Sequence, residues 1–133
     1  MVVENNELNL SEPALHHSKS VLLKAVGKQI HKFRKERSMT GKELANLLNV
    51  SQQQISRYEC GVCNITIDTL MVILHVMNVS LKEFFEQVFL NIVESDKIVG
   101  AEYCQLFELS DKFNVLKNQL NTLSRYNKSN LWG

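Results

Sequence analysis

Apolar residues recur at helical spacing through most of this chain, and the pattern predicts an all-α protein. The first run extends from about Ser20 to Arg37, where apolar side chains return at every third or fourth position. Four further runs before residue 90 each follow a Ser or Thr that can cap a helix. The positions expected to form the core are Leu22, Val26, Ile30, Phe33, Leu70, Ile73, Leu74, Met77, Leu81, Phe84, Phe85, Val88 and Phe89.

Two short helices joined by a tight turn are predicted in the stretch TGKELANLLNVSQQQISRYECG, residues 40–61. Thr40 and Glu43 have the spacing of a capping box, in which two side chains satisfy the free N–H groups at a helix start. Ser51 and Gln54 have the same spacing, with glutamine in place of glutamate. Between the two starts, Asn49 tolerates the left-handed backbone that a sharp turn needs. The two helices are therefore expected to meet at a steep angle.

The second of these helices has a polar face that suits base recognition. Ile55 and Tyr58 are three residues apart and are expected to point inward. The side chains left on the outside are Gln52, Gln53, Ser56 and Arg57. Glutamine can form paired hydrogen bonds with adenine, and arginine with guanine, from a helix that lies in the major groove. The alternative is an ordinary solvated helix face, although Lys and Glu are the commoner residues there.

On these two capped helices, residues 22–85 resemble the helix-turn-helix domain of Xre/Cro-type repressors. The run SQQQISRYE at residues 51–59 is similar to the signature of the MrpJ-type regulators encoded in fimbrial operons of enteric bacteria. The resemblance implies a five-helix repressor-type domain, which we place at residues 19–90. Gln52, Gln53 and Arg57 are then the expected base contacts.

The resemblance also implies that Arg34 forms a partly buried pair with Glu59, which braces the second helix and presents the guanidinium to the nucleic-acid backbone. The family often has a phosphate-binding glutamine where this chain has Gly41, and often has basic residues where the loop after the helix reads VCNI. The side chains expected to contact phosphate or to support the site are Arg34, Thr40, Lys42, Ser51, Gln54, Ser56 and Asn64, with Lys24, Lys28, Lys32 and Lys35 of the first helix.

Charge is concentrated on the predicted helix-turn-helix segment. The whole chain has a formal net charge of only +1. Residues 19–80 contain nine Lys or Arg and four acids, whereas residues 1–18 contain three acids and neither Lys nor Arg. A basic segment of this kind is the electrostatic footprint expected of a protein that binds phosphates.

The sequence also contains a C-x-x-C pair, Cys60 and Cys63, around Gly61, which is expected to end the second helix in a left-handed conformation. A zinc site needs four ligands, and Cys104 is the one further cysteine. A redox pair usually places one thiol at a helix N-terminus, whereas Cys60 follows a helix C-terminus. We therefore predict no metal or cofactor, and a redox-sensing role remains an open alternative.

A regular apolar seam runs through the C-terminal tail, which we define as residues 91–133. Its members recur in steps of three and four: Leu106, Leu109, Phe113, Leu116, Leu120 and Leu123. This spacing is typical of a coiled coil or of a helix in an apolar groove. We expect the tail to join two protomers, with packing onto its own domain as the alternative. Residues 1–18 show little periodicity and are expected to form a mobile arm.

These observations predict a regulator of transcription that binds double-stranded promoter DNA as a homodimer. The apolar runs are too short to span a bilayer and the start lacks a signal-peptide pattern, so a cytoplasmic, nucleoid-associated protein is expected. No small-molecule ligand is inferred. The resemblance implies fimbrial and motility genes as targets. The alternatives are a phage-repressor-like or antitoxin-type Xre regulator, or a protein-interaction module that has lost DNA binding. No catalytic motif points to an enzyme.

Overall fold

The computed structural model describes residues 11–106, 119 and 121–126 of the chain. Within these residues every regular element is a helix, which confirms the all-α prediction. The six helices before residue 107 are α1 (Glu12–Glu36), α2 (Gly41–Leu48), α3 (Gln52–Glu59), α4 (Ile67–Met77), α5 (Leu81–Ser95) and α6 (Lys97–Leu106). Residues 121–126 are helical as well.

The predicted starts of α2, α3, α4 and α5 are confirmed by their hydrogen bonds. The Thr40 hydroxyl accepts from the Glu43 N–H, and the Glu43 carboxylate accepts from the Thr40 N–H, so this capping box is complete. Ser51, Thr66 and Ser80 each accept the N–H three residues on at the starts of α3, α4 and α5. Asn49 ends α2 in the left-handed conformation, with φ 55° and ψ 44°. The chain therefore turns sharply from α2 into α3.

The core lies between α1, α4 and α5, and the two short helices pack against it through Leu44, Ala45 and Ile55. Most of the predicted core positions are buried, with Ile30, Ile73, Phe84 and Val88 fully enclosed. The prediction that Leu81 lies in the core is wrong, because this side chain is 45% exposed at the first turn of α5. A further group of buried side chains completes the core: Ala25, Leu44, Ala45, Ile55, Val79, Ile92 and Val99.

Helix α1 begins at Glu12, eight residues before the predicted start at Ser20. The arm predicted over residues 1–18 is therefore wrong for residues 12–18. The sequence Ser11-Glu12-Pro13 supplies a helix start with an acidic residue and a proline in its first turn, both of which favour a helix N-terminus. The added turns are held by tertiary contacts, since the Tyr103 hydroxyl donates to the Ser18 carbonyl at 3.0 Å and His17 Nε2 lies 2.9 Å from Asp96 Oδ2.

Helix α6 folds back on α5 and is part of the same core. Asp96 separates the two helices, and its carboxylate accepts the Val99 N–H at the start of α6. Gly100 lies so close to α5 that a Cβ on it would be 2.7 Å from the Val93 Cα. Val99 is buried, and the Tyr103 ring stacks on Phe89. The core thus continues past residue 90, which is the predicted end of the domain.

Most of the predicted tail seam lies outside the described residues. This applies to Leu109, Phe113, Leu116 and Leu120, and the described part of Leu106 is its backbone at the end of α6. Leu123 is 58% exposed. Among the described residues, no helix is long and apolar enough to cross a membrane.

Candidate nucleic-acid interface

Helix α3 presents the polar face that its sequence predicts. Gln52, Gln53, Ser56 and Arg57 are all exposed, while Ile55 is buried and Tyr58 is half-buried on the opposite side. At 100° per residue the four exposed positions span about 140° of the helix surface, which is one continuous face. We call these four side chains the α3 polar face. Nothing in the described part of the chain covers it.

The pair implied by the resemblance, Arg34 and Glu59, holds the end of α3 against α1. Arg34 Nε donates to Glu59 Oε1 at 2.5 Å and Arg34 Nη2 donates to Oε2 at 3.0 Å, which is a two-pronged bond. His31 Nδ1 lies 2.8 Å from the same Oε2. The same His31 Nδ1 also lies 3.2 Å from Arg34 Nη2, so the imidazole contacts both members of the pair. Three side chains thus join α1 to the last residue of α3.

The electrostatics of this pair follow from its burial. Burial alone raises the pKa of the Glu59 carboxyl, but hydrogen bonds from Arg34 and His31 outweigh burial, and the pKa falls below its usual value. The hydrogen bond to Glu59 raises the pKa of Arg34 despite burial, which acts in the opposite direction. Both groups are therefore charged at neutral pH.

Arg34 does not present its guanidinium outward as the resemblance implied. The residue is 6% exposed, and its remaining nitrogen, Nη1, donates to the Met39 carbonyl at 2.8 Å. Each of its three nitrogens already has a partner within the protein. The structure thus favours a bracing role for Arg34 over contact with phosphate.

Gly61 ends α3 with φ 66°, as predicted. The Gly61 N–H donates to the Tyr58 carbonyl and the Val62 N–H donates to the Arg57 carbonyl, which are the two bonds of a Schellman motif. A Cβ on Gly61 would also lie 2.7 Å from the Lys24 Cα. The second contact was not foreseen from the sequence.

Gly27 is a residue of this site that the sequence analysis missed. It lies in the middle of α1, and a Cβ there would be 2.3 Å from the Tyr58 carbonyl oxygen and 2.6 Å from that of Glu59. The absence of a side chain allows α1 to touch the C-terminal end of α3. An isolated glycine inside a helical pattern was the available signal, because such a residue often marks a close approach of backbones.

Gln54 and Cys63 form an unforeseen contact beside the α3 polar face. Gln54 Nε2 donates to Cys63 Sγ at 3.4 Å, so this amide is directed at the loop after α3 and not at the Ser51 backbone, as a full capping box would require. Cys60 is exposed and Cys63 is half-buried, and both are free thiols. The described residues contain no cluster of three or more potential metal ligands.

A cleft of about 440 Å³ lies between the end of α1, the start of α2 and α3. Its lining includes Lys35, Ser38, Thr40, Gly41, Gln52 and Ser56. Gln52 covers Gly41, since its Cγ lies 3.8 Å from the point that a Cβ on Gly41 would occupy. Lys42 and Asn64, the other predicted phosphate contacts, are exposed near the two ends of the α2–α3 pair. The four predicted lysines of α1, Lys24, Lys28, Lys32 and Lys35, are exposed too.

Residues 30–84, which contain the whole α2–α3 pair, match the helix-turn-helix family HTH_3. A mutant form of the restriction-modification controller protein C.Esp1396I is similar in structure, with a TM-score of 0.52 and 36% identity over 56% of this chain and 97% of that chain. Residues 30–84 thus form a helix-turn-helix domain of this family. Its fold and family are those of DNA-binding regulators and not of enzymes.

Two other known proteins are similar. The antitoxin PezA of Streptococcus pneumoniae serotype 4 is 30% identical over 108 residues, which are 78% of this chain and 62% of PezA, so the chain spans less than two thirds of that relative. The clp gene regulator ClgR of Corynebacterium glutamicum has a TM-score of 0.54 at 20% identity, over 67% of this chain and 96% of that chain. The likeness to ClgR extends to the fold alone.

Proposed function

We propose that this protein is a sequence-specific regulator of transcription that binds promoter DNA as a homodimer and reads the major groove with α3. In this proposal Gln52, Gln53 and Arg57 contact base edges. The observation that carries the proposal is the α3 polar face. It has four exposed side chains, three of them able to form paired hydrogen bonds, on a helix that is fixed to the core by Ile55 and by the Arg34–Glu59 pair. A recognition helix needs both features, since the side chains must reach the bases from a rigid support.

Phosphate contacts are assigned to the exposed polar residues around that face. Thr40, Lys42 and Asn64 flank α3, and the lysines of α1 add positive charge on an adjacent surface. Such contacts position a protein on DNA and supply most of the affinity that is independent of sequence. Ser51 supports the site as the cap of α3, and Gln54 supports it through its bond to Cys63.

Known relatives support the binding of operator DNA by an assembly of several copies. C.Esp1396I has been described as a tetramer in complex with its natural 35 base-pair operator, and this form is 36% identical to the chain with a TM-score of 0.50. Two recognition helices related by a two-fold axis read half-sites about 34 Å apart. In the present protein we assign the DNA-binding domain to residues 12–106, which form six helices around one core, and a role in dimerisation to residues 107–133, through the seam that ends at Leu123.

The finer assignment is to surface-organelle genes. It rests on the similarity of the run SQQQISRYE to the MrpJ-type regulators, which implies control of fimbrial and flagellar genes. A second candidate function is that of an antitoxin-type regulator, which the 30% identity to PezA favours. The two candidates share the same DNA-binding mechanism and differ in their target genes.

The experiment is a footprint of the purified full-length protein across the promoter upstream of its own gene and across a fimbrial and a flagellar promoter. The proposal predicts protected half-sites about 10 base pairs apart, and an affinity whose logarithm falls linearly with the logarithm of the salt concentration. Protection restricted to its own promoter, next to a toxin gene, would support the antitoxin candidate. No protection on any promoter, with no binding to random DNA at low salt, would refute the proposal.

A further inference from the structure

Helix α4 is apolar on nearly its whole circumference, which is unusual for a helix at a protein surface. Its sequence, IDTLMVILHVM, contains three polar residues in eleven positions. Ile73, Leu74 and Met77 face the core, yet Ile67 is 82% exposed and Met71 and Val72 are each 46% exposed on the other side. A helix that is apolar all round is normally buried all round.

The exposed side of α4 has an internal symmetry. Asp68, Met71, Val72 and His75 are all exposed, and their spacing of three, four and seven places them in one stripe. We call these four residues the α4 stripe. Its centre is apolar, its N-terminal end carries a carboxylate, and its C-terminal end carries an imidazole.

This arrangement is complementary to itself. Consider two α4 helices that pack antiparallel about a two-fold axis. A step forward along one helix is a step backward along the other, so the two residue numbers of every facing pair have the same sum. An axis between Met71 and Val72 brings Met71 of one copy against Val72 of the other. The same axis brings Asp68 of each copy against His75 of the other. A two-fold interface requires that residue i contacts j while j contacts i, and the α4 stripe satisfies this requirement.

We propose that the α4 stripe is an interface between two copies of this chain, with Met71 and Val72 at the two-fold axis and an Asp68–His75 pair on each side. The partner is a second copy of this chain, because the two-fold rotation places the apolar centre of one stripe on the apolar centre of the other and each carboxylate on an imidazole. Helix α4 follows α3 after a seven-residue connection, so this pairing fixes the position of one recognition helix relative to the other. The inference deepens the dimer of the proposed function by naming a surface, and it is distinct from the tail seam.

The test is disulfide trapping in the full-length chain. A background in which Cys60, Cys63 and Cys104 are replaced by serine receives Met71→Cys, and oxidation with copper phenanthroline is followed by non-reducing electrophoresis. We expect a covalent dimer at micromolar protein that forms at least ten times faster than in a matched control with Glu94→Cys, an exposed position on α5. Equal, slow trapping in both variants would overturn the proposal. A stripe covered by the tail of its own chain would give this same result.

A charge-reversal experiment tests the polar pairs and depends on neither cysteine nor DNA. Asp68→Lys and His75→Glu each leave like-charged or unpaired ends, so each variant alone should associate at least about two-fold more weakly than wild type. An equal mixture restores one complementary pair at each end and should recover association, measured by sedimentation equilibrium. If the mixture associates no better than the single variants, the assigned register is wrong. Because DNA is absent from both tests, their failure would leave the proposed DNA binding untouched.

Discussion

Removing the carboxylate of Glu59 should break the contacts that hold α3 against α1 and should lower the free energy of unfolding. In Glu59→Ala, Arg34 loses the carboxylate that accepts from Nε and Nη2, and His31 loses its contact with the same carboxylate. Arg34 keeps the Met39 carbonyl as a partner of Nη1, but most of its buried charge is then uncompensated. Breaking one side of a buried pair costs about 3–5 kcal/mol, against a total stability of about 5–15 kcal/mol for a domain. We expect a loss in this range.

The assay is urea unfolding followed by circular dichroism, with thermal melting as a second measure. A loss of 3–5 kcal/mol corresponds to a fall of the melting temperature by about 10–20 °C for a domain of this size. Glu86→Ala is the matched control, because the Lys82–Glu86 pair is exposed and 4.0 Å long and should contribute less than about 0.5 kcal/mol. If Glu59→Ala costs no more than Glu86→Ala, the bracing role assigned to Glu59 is refuted.

The pH dependence of the same pair has a definite sign. The folded-state pKa of Glu59 is lowered, so its contribution to stability is complete above the unfolded value of about 4.3 and is lost as the pH falls through the folded value. The difference in stability between wild type and Glu59→Ala should therefore be fully present near neutral pH and should shrink below about pH 4. A difference that instead grows in acid would contradict the assignment of a charged Glu59.

Three further predictions concern the backbone and buried hydrogen bonds. Gly61→Ala should lower the free energy of unfolding by about 2–4 kcal/mol, because of the left-handed φ and the clash with α1. Gly41→Ala should raise it by about 0.5–1 kcal/mol, since alanine favours a helix over glycine and a Cβ there has no contact closer than 3.8 Å; urea unfolding measures both. Asn91→Leu alone should cost about 1–3 kcal/mol because it removes the 2.8 Å bond to buried Gln29, and adding Gln29→Leu should recover most of the loss in a double-mutant cycle. Tyr103→Phe should cost about 0.5–1.5 kcal/mol and speed hydrogen exchange in the first turns of α1, which a free N-terminal arm would not show.

Short-range chemistry explains which parts of the fold were predictable. The starts of α2 to α5 depend on a hydroxyl and the N–H three residues later, and the end of α3 depends on one left-handed glycine, so both are written within a few positions of sequence. The α3 polar face was predictable for the same reason. It requires only helical periodicity in an eight-residue segment.

The features that were missed depend on contacts between distant residues. The first turns of α1 are stabilised by Asp96 and Tyr103, which are about eighty positions away, and no local pattern indicates that partnership. The burial of Arg34 likewise depends on the Met39 carbonyl and on the approach of α3, which Gly27 permits. The resemblance predicted the partly buried Arg34–Glu59 pair correctly, but not the burial of the Arg34 guanidinium, which was expected to face the nucleic acid.

The most direct test of the central claim compares two substitutions on operator and on random DNA. Arg57→Ala removes a side chain assigned to base edges, and Lys42→Ala removes one assigned to phosphate; both residues are exposed, so both variants should fold as wild type does. We expect Arg57→Ala to lose about 1–3 kcal/mol on the operator alone and to relax the sequence preference at one position. Lys42→Ala should weaken binding to both DNAs equally and reduce the salt slope by about one. If Arg57→Ala weakens both DNAs to the same extent, α3 does not read sequence through this side chain.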